Sequence, residues 1–448
     1  MLDYNLLLAV FSGVIILLVL ILRFKIQAFI SLLIASIVVG IVAGMPPKEI
    51  ITTMQQGMGS TLGFVALVVG LGAIFGSILE QSGGAEALAN YLLSKFGDKR
   101  ASWALMLAGF FIAIPVFFDV AFIILIPLVY SLQRRTKKSL LLYAIPLLAG
   151  LAITHSFIPP TPGPVAVADI LKAELGWVIL FGFIVGVPTA IVSGPLFGNY
   201  IAKKIYIEAP KMEFNEKEAK EYPAVRLILL IIGIPIVLII ANTVLNSPLV
   251  SSDSISVLFK EWMAMIGNPF VALIIANLIA WYVLGIKRGL SKDELLKIAT
   301  NSMGPAGLII LLTGAGGVFK QMLINTGTGE MLANYFATMG ISLLFFGFFI
   351  AVLVRVLQGS ATVAMITAAG VTAPLLINTD ITQIDKALLV IAIASGASIM
   401  SHVNDSGFWL VGKYLGLNEK QTFKSWTIMT TILAVSSFFM VSLLSLIL

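Results

Sequence analysis

Five ionisable side chains stand inside stretches that otherwise carry no charge: Asp119, His155, Arg355, His402 and Asp405. Burying a charge in hydrocarbon costs several kcal/mol, so such residues are functional candidates by default. A guanidinium is a forked donor suited to a carboxylate, which makes Arg355 the candidate partner of an acidic solute. Asp119 and Asp405 suit proton or cation coupling, because a carboxyl can take up and release a proton. The histidines add groups that titrate near neutrality in water.

Each of these residues sits beside a break in the apolar pattern. His155-Ser-Phe-Ile-Pro-Pro-Thr-Pro-Gly-Pro164 places four prolines in ten residues. Each proline removes a backbone donor, so no continuous helix can pass. Ser401-His-Val-Asn-Asp-Ser-Gly407 is a second polar break, and Pro115 to Asp119 and Gln358-Gly-Ser-Ala-Thr362 are two more. Unwound backbone at membrane depth is tolerated only when buried in protein or lining a wet cavity. Every break also creates a half-helix N-terminus, whose free N–H groups favour anions.

The elements that must position these groups follow from the scarcity of charge. The chain has 448 residues, of which 28 are Lys or Arg and 22 Asp or Glu. That 11% charged fraction compares with about 25% in soluble domains. With 59% apolar residues and a mean hydropathy of +1.04, the sequence reads as an all-α polytopic membrane protein. Asp3 to Arg23 encloses 19 uncharged residues, Lys25 to Lys48 encloses 22 and Glu49 to Glu80 encloses 30. None alternates like a barrel strand. The first run lacks the basic start and cleavage site of a signal peptide and reads as a retained span. Cysteine is absent, which excludes disulfides, thiolate metal sites and a catalytic thiol. No metal, organic cofactor or nucleic-acid partner is expected; membrane lipid is.

Basic residues set the orientation. The path that places 22 of the 28 Lys and Arg inside and four outside has both termini outside. It needs two re-entrant hairpins, 101–133 from the cytoplasm and 339–379 from outside, and two broken spans, 139–171 and 387–412. An internal repeat at an offset of 244 relates Gly83-Gly-Ala-Glu-Ala-Leu-Ala-Asn-Tyr91 to Gly327-Thr-Gly-Glu-Met-Leu-Ala-Asn-Tyr335. Phe75 and Leu79 match Phe319 and Leu323 in the same register, Val120-Ala121 faces Val363-Ala364, and His155 faces His402. The expected organisation is therefore N-terminal scaffold spans at 1–60, repeat 1 at 61–202, a cytoplasmic linker at 203–226, further scaffold spans at 227–302 and repeat 2 at 303–448. Repeats of opposite orientation with broken helices are the mark of a secondary transporter.

Plainer roles stay open for the same residues. Arg355 fits a structural bridge to Asp119 or Asp405, His155 a packing role, and the Pro-rich break a passive kink. Glu86 and Glu330 read as structural, and 207–221 as a solvated tether.

At its breaks the chain resembles the gluconate/H⁺ symporter family of bacterial permeases, within the ion-transporter superfamily. The motifs that carry the likeness are His155-Ser-Phe-Ile-Pro-Pro-Thr-Pro-Gly-Pro164, Leu357-Gln-Gly-Ser-Ala-Thr-Val-Ala364 and Ser401-His-Val-Asn-Asp-Ser-Gly-Phe-Trp409. The Leu22-Arg-Phe-Lys25 and Gly314-to-Gln321 stretches are similar as well. The resemblance implies proton-coupled uptake of gluconate or a related aldonate across the bacterial cytoplasmic membrane. It further implies a homodimer with scaffold and transport domains moving as an elevator. On that expectation the substrate carboxylate meets Arg355, its hydroxyls bond Ser360, Thr362, Asn404 and Thr161, and Gly359, Gly163, His155 and His402 complete the site. Asp119 or Asp405 carries the coupling proton. The rivals are a Na⁺-coupled carboxylate carrier and, remotely, an intramembrane hydrolase, for which no Gly-x-Gly-Asp or His-Glu-x-x-His pattern is present.

Overall fold

The computed structural model describes residues 4–210, 222–247, 256–328, 331, 342–376 and 381–448, and every regular element within them is a helix. Two apolar helices, α1 (Tyr4–Leu22) and α2 (Ala28–Val42), pack on each other. They lead to the long α3 (Pro47–Gln81), which opens with proline at its first turn, where no donor is lost. A left-handed Gly83 separates α3 from α4 (Gly84–Phe96). Then come α5 (Ala101–Ile112), α6 (Phe118–Thr136), α7 (Leu141–Phe157), α8 (Pro162–Leu171), α9 (Leu175–Ile191) and α10 (Phe197–Lys204). The last two join through a π-helical turn at Val192–Leu196 that holds Pro195.

Beyond the first charged connection lie α11 (Val225–Leu245), α12 (Val257–Ile266), α13 (Pro269–Ala280) and the second long helix, α14 (Lys292–Asn325). A capping box starts α14, Ser291 and Glu294 satisfying each other's backbone donors. The chain ends with α15 (Leu343–Gln358), α16 (Ala361–Thr372), α17 (Gln383–Ser398), α18 (Ser406–Leu415), α19 (Glu419–Thr422) and α20 (Ile428–Ile447). Among the described residues eight helical segments are long and apolar enough to cross a membrane.

The packing is made by small residues, as expected where lipid supplies no hydrophobic drive between helices. A methyl group on Gly57 of α3 would lie 2.7 Å from the Gly317 carbonyl of α14, so these two helices touch through backbone. The same holds between α5 and α7, where a methyl on Gly150 would lie 2.2 Å from the Met106 carbonyl. In α17 every residue from Ala387 to Ser398 is buried, which makes this helix the centre of the second half.

Two boundaries differ from the apolar runs. The second broken span begins four residues before 387, because the Thr382–Asp385 capping box nucleates α17 at Gln383. It runs to Leu415, where left-handed Gly416 stops α18. The start of the expected tether is also not free. Residues 205–210 dock on the α6–α7 connection, with Leu140 donating to the Ile207 carbonyl at 2.8 Å and Ser139 Oγ donating to Ile205 at 2.8 Å. Ser139 is buried, and its hydroxyl needs a partner, which fixes the segment there. Residues 211–221, Glu330 and most of the second repeat signature (329–330 and 332–335) lie outside the described residues, as do 339–341 and 377–379 of the second hairpin.

Candidate functional site

The turn between α15 and α16 is made by Gly359 at φ +95°, a conformation that costs any residue with a Cβ. A methyl there would lie 2.6 Å from three atoms of Asn404, so the turn presses directly on the break between α17 and α18. Arg355, one turn earlier and 3% exposed, points into this junction. Its Nη2 donates to Asp405 Oδ2 at 2.5 Å, its Nε to the Ile399 carbonyl at 3.2 Å, and its Nη1 to the Gly359 carbonyl. Of the two bridges left open by the sequence, the one to Asp405 is formed.

Asp405 is held from every side. Ser401 Oγ donates to Oδ2 at 2.5 Å and the Gly407 N–H to Oδ1 at 3.0 Å, so the carboxylate also caps α18. Ser401 is fixed in turn by Trp426 Nε1 at 2.6 Å and by Thr430, whose Oγ1 accepts from the Ser401 N–H at 3.1 Å. His402 accepts from the Asn404 N–H at Nδ1, which leaves Nε2 to donate to the Val356 carbonyl at 2.9 Å. Ser360 caps α16 by accepting from Val363, and Asn404 is exposed. Arg355, Gly359, Ser360, His402, Asn404 and Asp405 thus form one cluster, with Thr362 half-buried two residues beyond the cap.

Asp119, in the first turn of α6, lies on the exposed flank of this cluster and within electrostatic reach of Asp405. The link is structural as well. Phe118 packs on Trp426 at a tilt of 34° with ring centroids 5.7 Å apart, and Trp426 holds Ser401. On the other side, Phe117 meets the edge of His155 at 6.3 Å. The His155 Nδ1 is buried and has no hydrogen-bond partner among the described residues.

Thr161 and Gly163 stand apart from the cluster. Thr161 is buried and spends its hydroxyl on the Ile158 carbonyl at 2.7 Å. It faces Pro115 and Phe117 across a gap of about 10 Å³, room for roughly one water. Gly163 faces Met365 of α16, where a methyl would lie 2.8 Å from Sδ, so it packs closely on that helix. The first turn of α8 is also poor in donors, since Pro162 and Pro164 have no N–H. At the start of α16, by contrast, the Ala361 and Thr362 N–H groups are free of partners among the described residues, beside the Arg355 cation. The half-helix fit for an anion is therefore α16. Phe117 also borders a wider cavity of about 490 Å³ between α3 and α14, whose polar lining includes Ser77, Glu80, Gln81, Glu294, Lys297 and Asn301.

Sequence reasoning missed a second buried charge group. Asp169, 8% exposed near the end of α8, pairs with Lys172 at 3.0 Å, and its Oδ2 is buried without a partner among the described residues. Lys320 of α14 lies within electrostatic reach of both. The signal was present, since Lys320 and Arg355 are the two basic residues inside apolar segments. Trp426 gave none, because indole donors are common in spans, and Ser401 was legible only as the start of the polar break.

The sequence matches the GntP family permease description over residues 4–447. The chain belongs to the GntP permease family. It is a transporter and an integral membrane protein. It is 39% identical to the gluconate permease of Pseudomonas aeruginosa over 100% of this chain and 99% of that one. It is 40% identical to the low-affinity gluconate transporter of Escherichia coli K12, covering 97% and 96%. The Gnt-II system L-idonate transporter of the same organism is 36% identical, covering 95% of each. Among solved structures, the Alcanivorax borkumensis YdaH transporter shares the fold with a TM-score of 0.61 at 16% identity, covering 89% of both chains. Neisseria gonorrhoeae MtrF aligns at 0.60 and 16%, covering 88% and 84%.

Proposed function

We propose that this permease imports gluconate or a related aldonate by proton symport. The observation that carries the reading is the Arg355–Asp405 pair at 2.5 Å beside the free N–H groups that open α16. While Asp405 is ionised, it occupies the guanidinium. A proton on Asp405 removes the competing charge, and the substrate carboxylate takes its place on Arg355. Anion and proton then bind together, which is the condition for symport. Asp119, exposed beside Asp405, is the proton's way in. The substrate hydroxyls are assigned to Ser360, Thr362 and Asn404. Thr161 joins them only once its bond to Ile158 is released.

The relatives named for gluconate and L-idonate support the substrate class. Alternating access by an elevator movement within a homodimer fits the broken helices and belongs to the same proposal. Proteoliposomes containing the permease test it. An inward proton gradient should drive gluconate uptake without sodium. Uptake stimulated by sodium and indifferent to pH overturns the symport reading in favour of a Na⁺-coupled carrier.

A further inference from the structure

The order of elements recurs along the chain, but the two copies are packed unequally. The register relates α3 to α14, α6 to α16 and α8 to α18, and the turn at Pro115 to the turn at Gly359. In repeat 1, a methyl on Gly72 would lie 3.3 Å from the Pro160 carbonyl, and one on Gly76 would overlap the Pro115 carbonyl at 1.9 Å. So α3 meets its own break and its own turn. The equivalent positions on α14 do neither. A methyl on Gly316, the counterpart of Gly72, would lie 2.2 Å from Ile366 Cγ2, well down α16 from the Gly359 turn. A methyl on Gly370, deeper still, would lie 3.6 Å from the Phe319 ring. At 1.5 Å per residue, Ser360 is about 15 Å from the level of that contact. Both long helices pack on α8, and α14 packs on α16, with no comparable packing of either on α6 or α18.

Exchanging the environments of the two copies converts each contact into its counterpart. The Gly316–Ile366 contact becomes Gly72–Ile123, and Ile123 is 40% exposed here. The Gly76–Pro115 approach places residue 320 beside the Gly359 turn, at a wider separation, because a side chain at 320 brings the Cβ that the glycine contact excludes. Residue 320 is a lysine where its counterpart is glycine. In this state its ammonium is half-buried and makes no hydrogen bond or ion pair among the described residues. We infer that Lys320 contacts the substrate carboxylate at the Gly359 turn in the opposite-facing state, as a second cation beside Arg355. The inference rests on the proposed transport of a hydroxy acid by exchange of the two copies' environments.

The chain has no cysteine, so introduced pairs report without background. Lys320→Cys with Ser360→Cys should form a disulfide in membranes under copper–phenanthroline, detected by mass spectrometry of the linked peptides. Gly316→Cys with Ile366→Cys reports the present packing and serves as the reference. Lys320→Gln should raise the KM for gluconate uptake by about tenfold, the loss of one charge-assisted contact, and Lys320→Arg should restore it. KM for efflux from the interior should not move. No 320–360 disulfide in a protein that links 316–366, or a wild-type uptake KM in Lys320→Gln, overturns the role of Lys320. Failure of the wild-type protein to take up any sugar acid refutes the transport proposal itself, and the two failures are separate readings.

Discussion

Replacing Arg355 by methionine removes a cation from a site where little water can compensate. The guanidinium side chain is 4% exposed and that of Asp405 is 16% exposed, so solvent screening is weak. Asp405 keeps Ser401 Oγ and the Gly407 N–H but loses its counter-charge, and the carbonyls of Ile399 and Gly359 lose a donor. Breaking a buried ion pair from one side costs about 3–5 kcal/mol. Each stranded carbonyl adds about 1 kcal/mol at the low end of the range for unsatisfied buried groups. Arg355→Met should therefore destabilise by about 5–7 kcal/mol, summing those contributions. Asp405→Asn leaves the arginine with its two carbonyls and should cost about 3 kcal/mol. The double variant buries no charge, so its loss should fall short of the sum by about 2–3 kcal/mol. Equilibrium unfolding of the four proteins in mixed micelles at pH 7 measures that coupling. Additivity within about 0.5 kcal/mol would refute the pair as a unit, and with it the competition between Asp405 and substrate for one guanidinium.

Asp119→Asn should abolish proton-driven accumulation while leaving gluconate exchange across proteoliposomes; proton flux that persists removes Asp119 from the proton path. Gly359→Ala must hold a Cβ at φ +95° against Asn404, and should lower stability by about 1–2 kcal/mol or more and cut uptake, both measurable in the same preparations. Gly150→Ala forces α7 from α5 and should cost about 1–3 kcal/mol in unfolding, whereas Gly59→Ala, with nothing within 4 Å of the added methyl, should be neutral or stabilising.

Much of the helix layout was legible because lipid makes apolar length a direct constraint. The run from Asp3 to Arg23 became α1, and the prolines after Ile158 ended α7 where their missing donors required it. What stayed hidden was pairing across the chain. Arg355 had two acidic candidates, and one-dimensional spacing cannot choose between them. The choice is made by Gly359, whose left-handed turn brings residue 404 against residue 359 and so Asp405 onto the guanidinium. Asp169 was hidden for a different reason. It stands three residues from Lys172 at the end of an apolar run, where a charged pair reads as an ordinary loop boundary.

The same comparison decides which helix end can take an anion. From the sequence, every break offered a half-helix N-terminus of equal promise. Prolines at 162 and 164 leave Gly163 as the only donor among the first three residues of α8, and Gly163 is packed under Met365. At α18 the position an anion would fill is already held by Asp405. Of these three breaks, α16 alone combines free N–H groups with a neighbouring cation among the described residues, and that cation is shared with Asp405. In the proposed mechanism a substrate carboxylate arriving there displaces a carboxylate of the protein from the guanidinium. If substrate and Asp405 compete for one guanidinium, as proposed, anion binding is linked to a proton on Asp405, and the additivity test above decides whether the two share that cation.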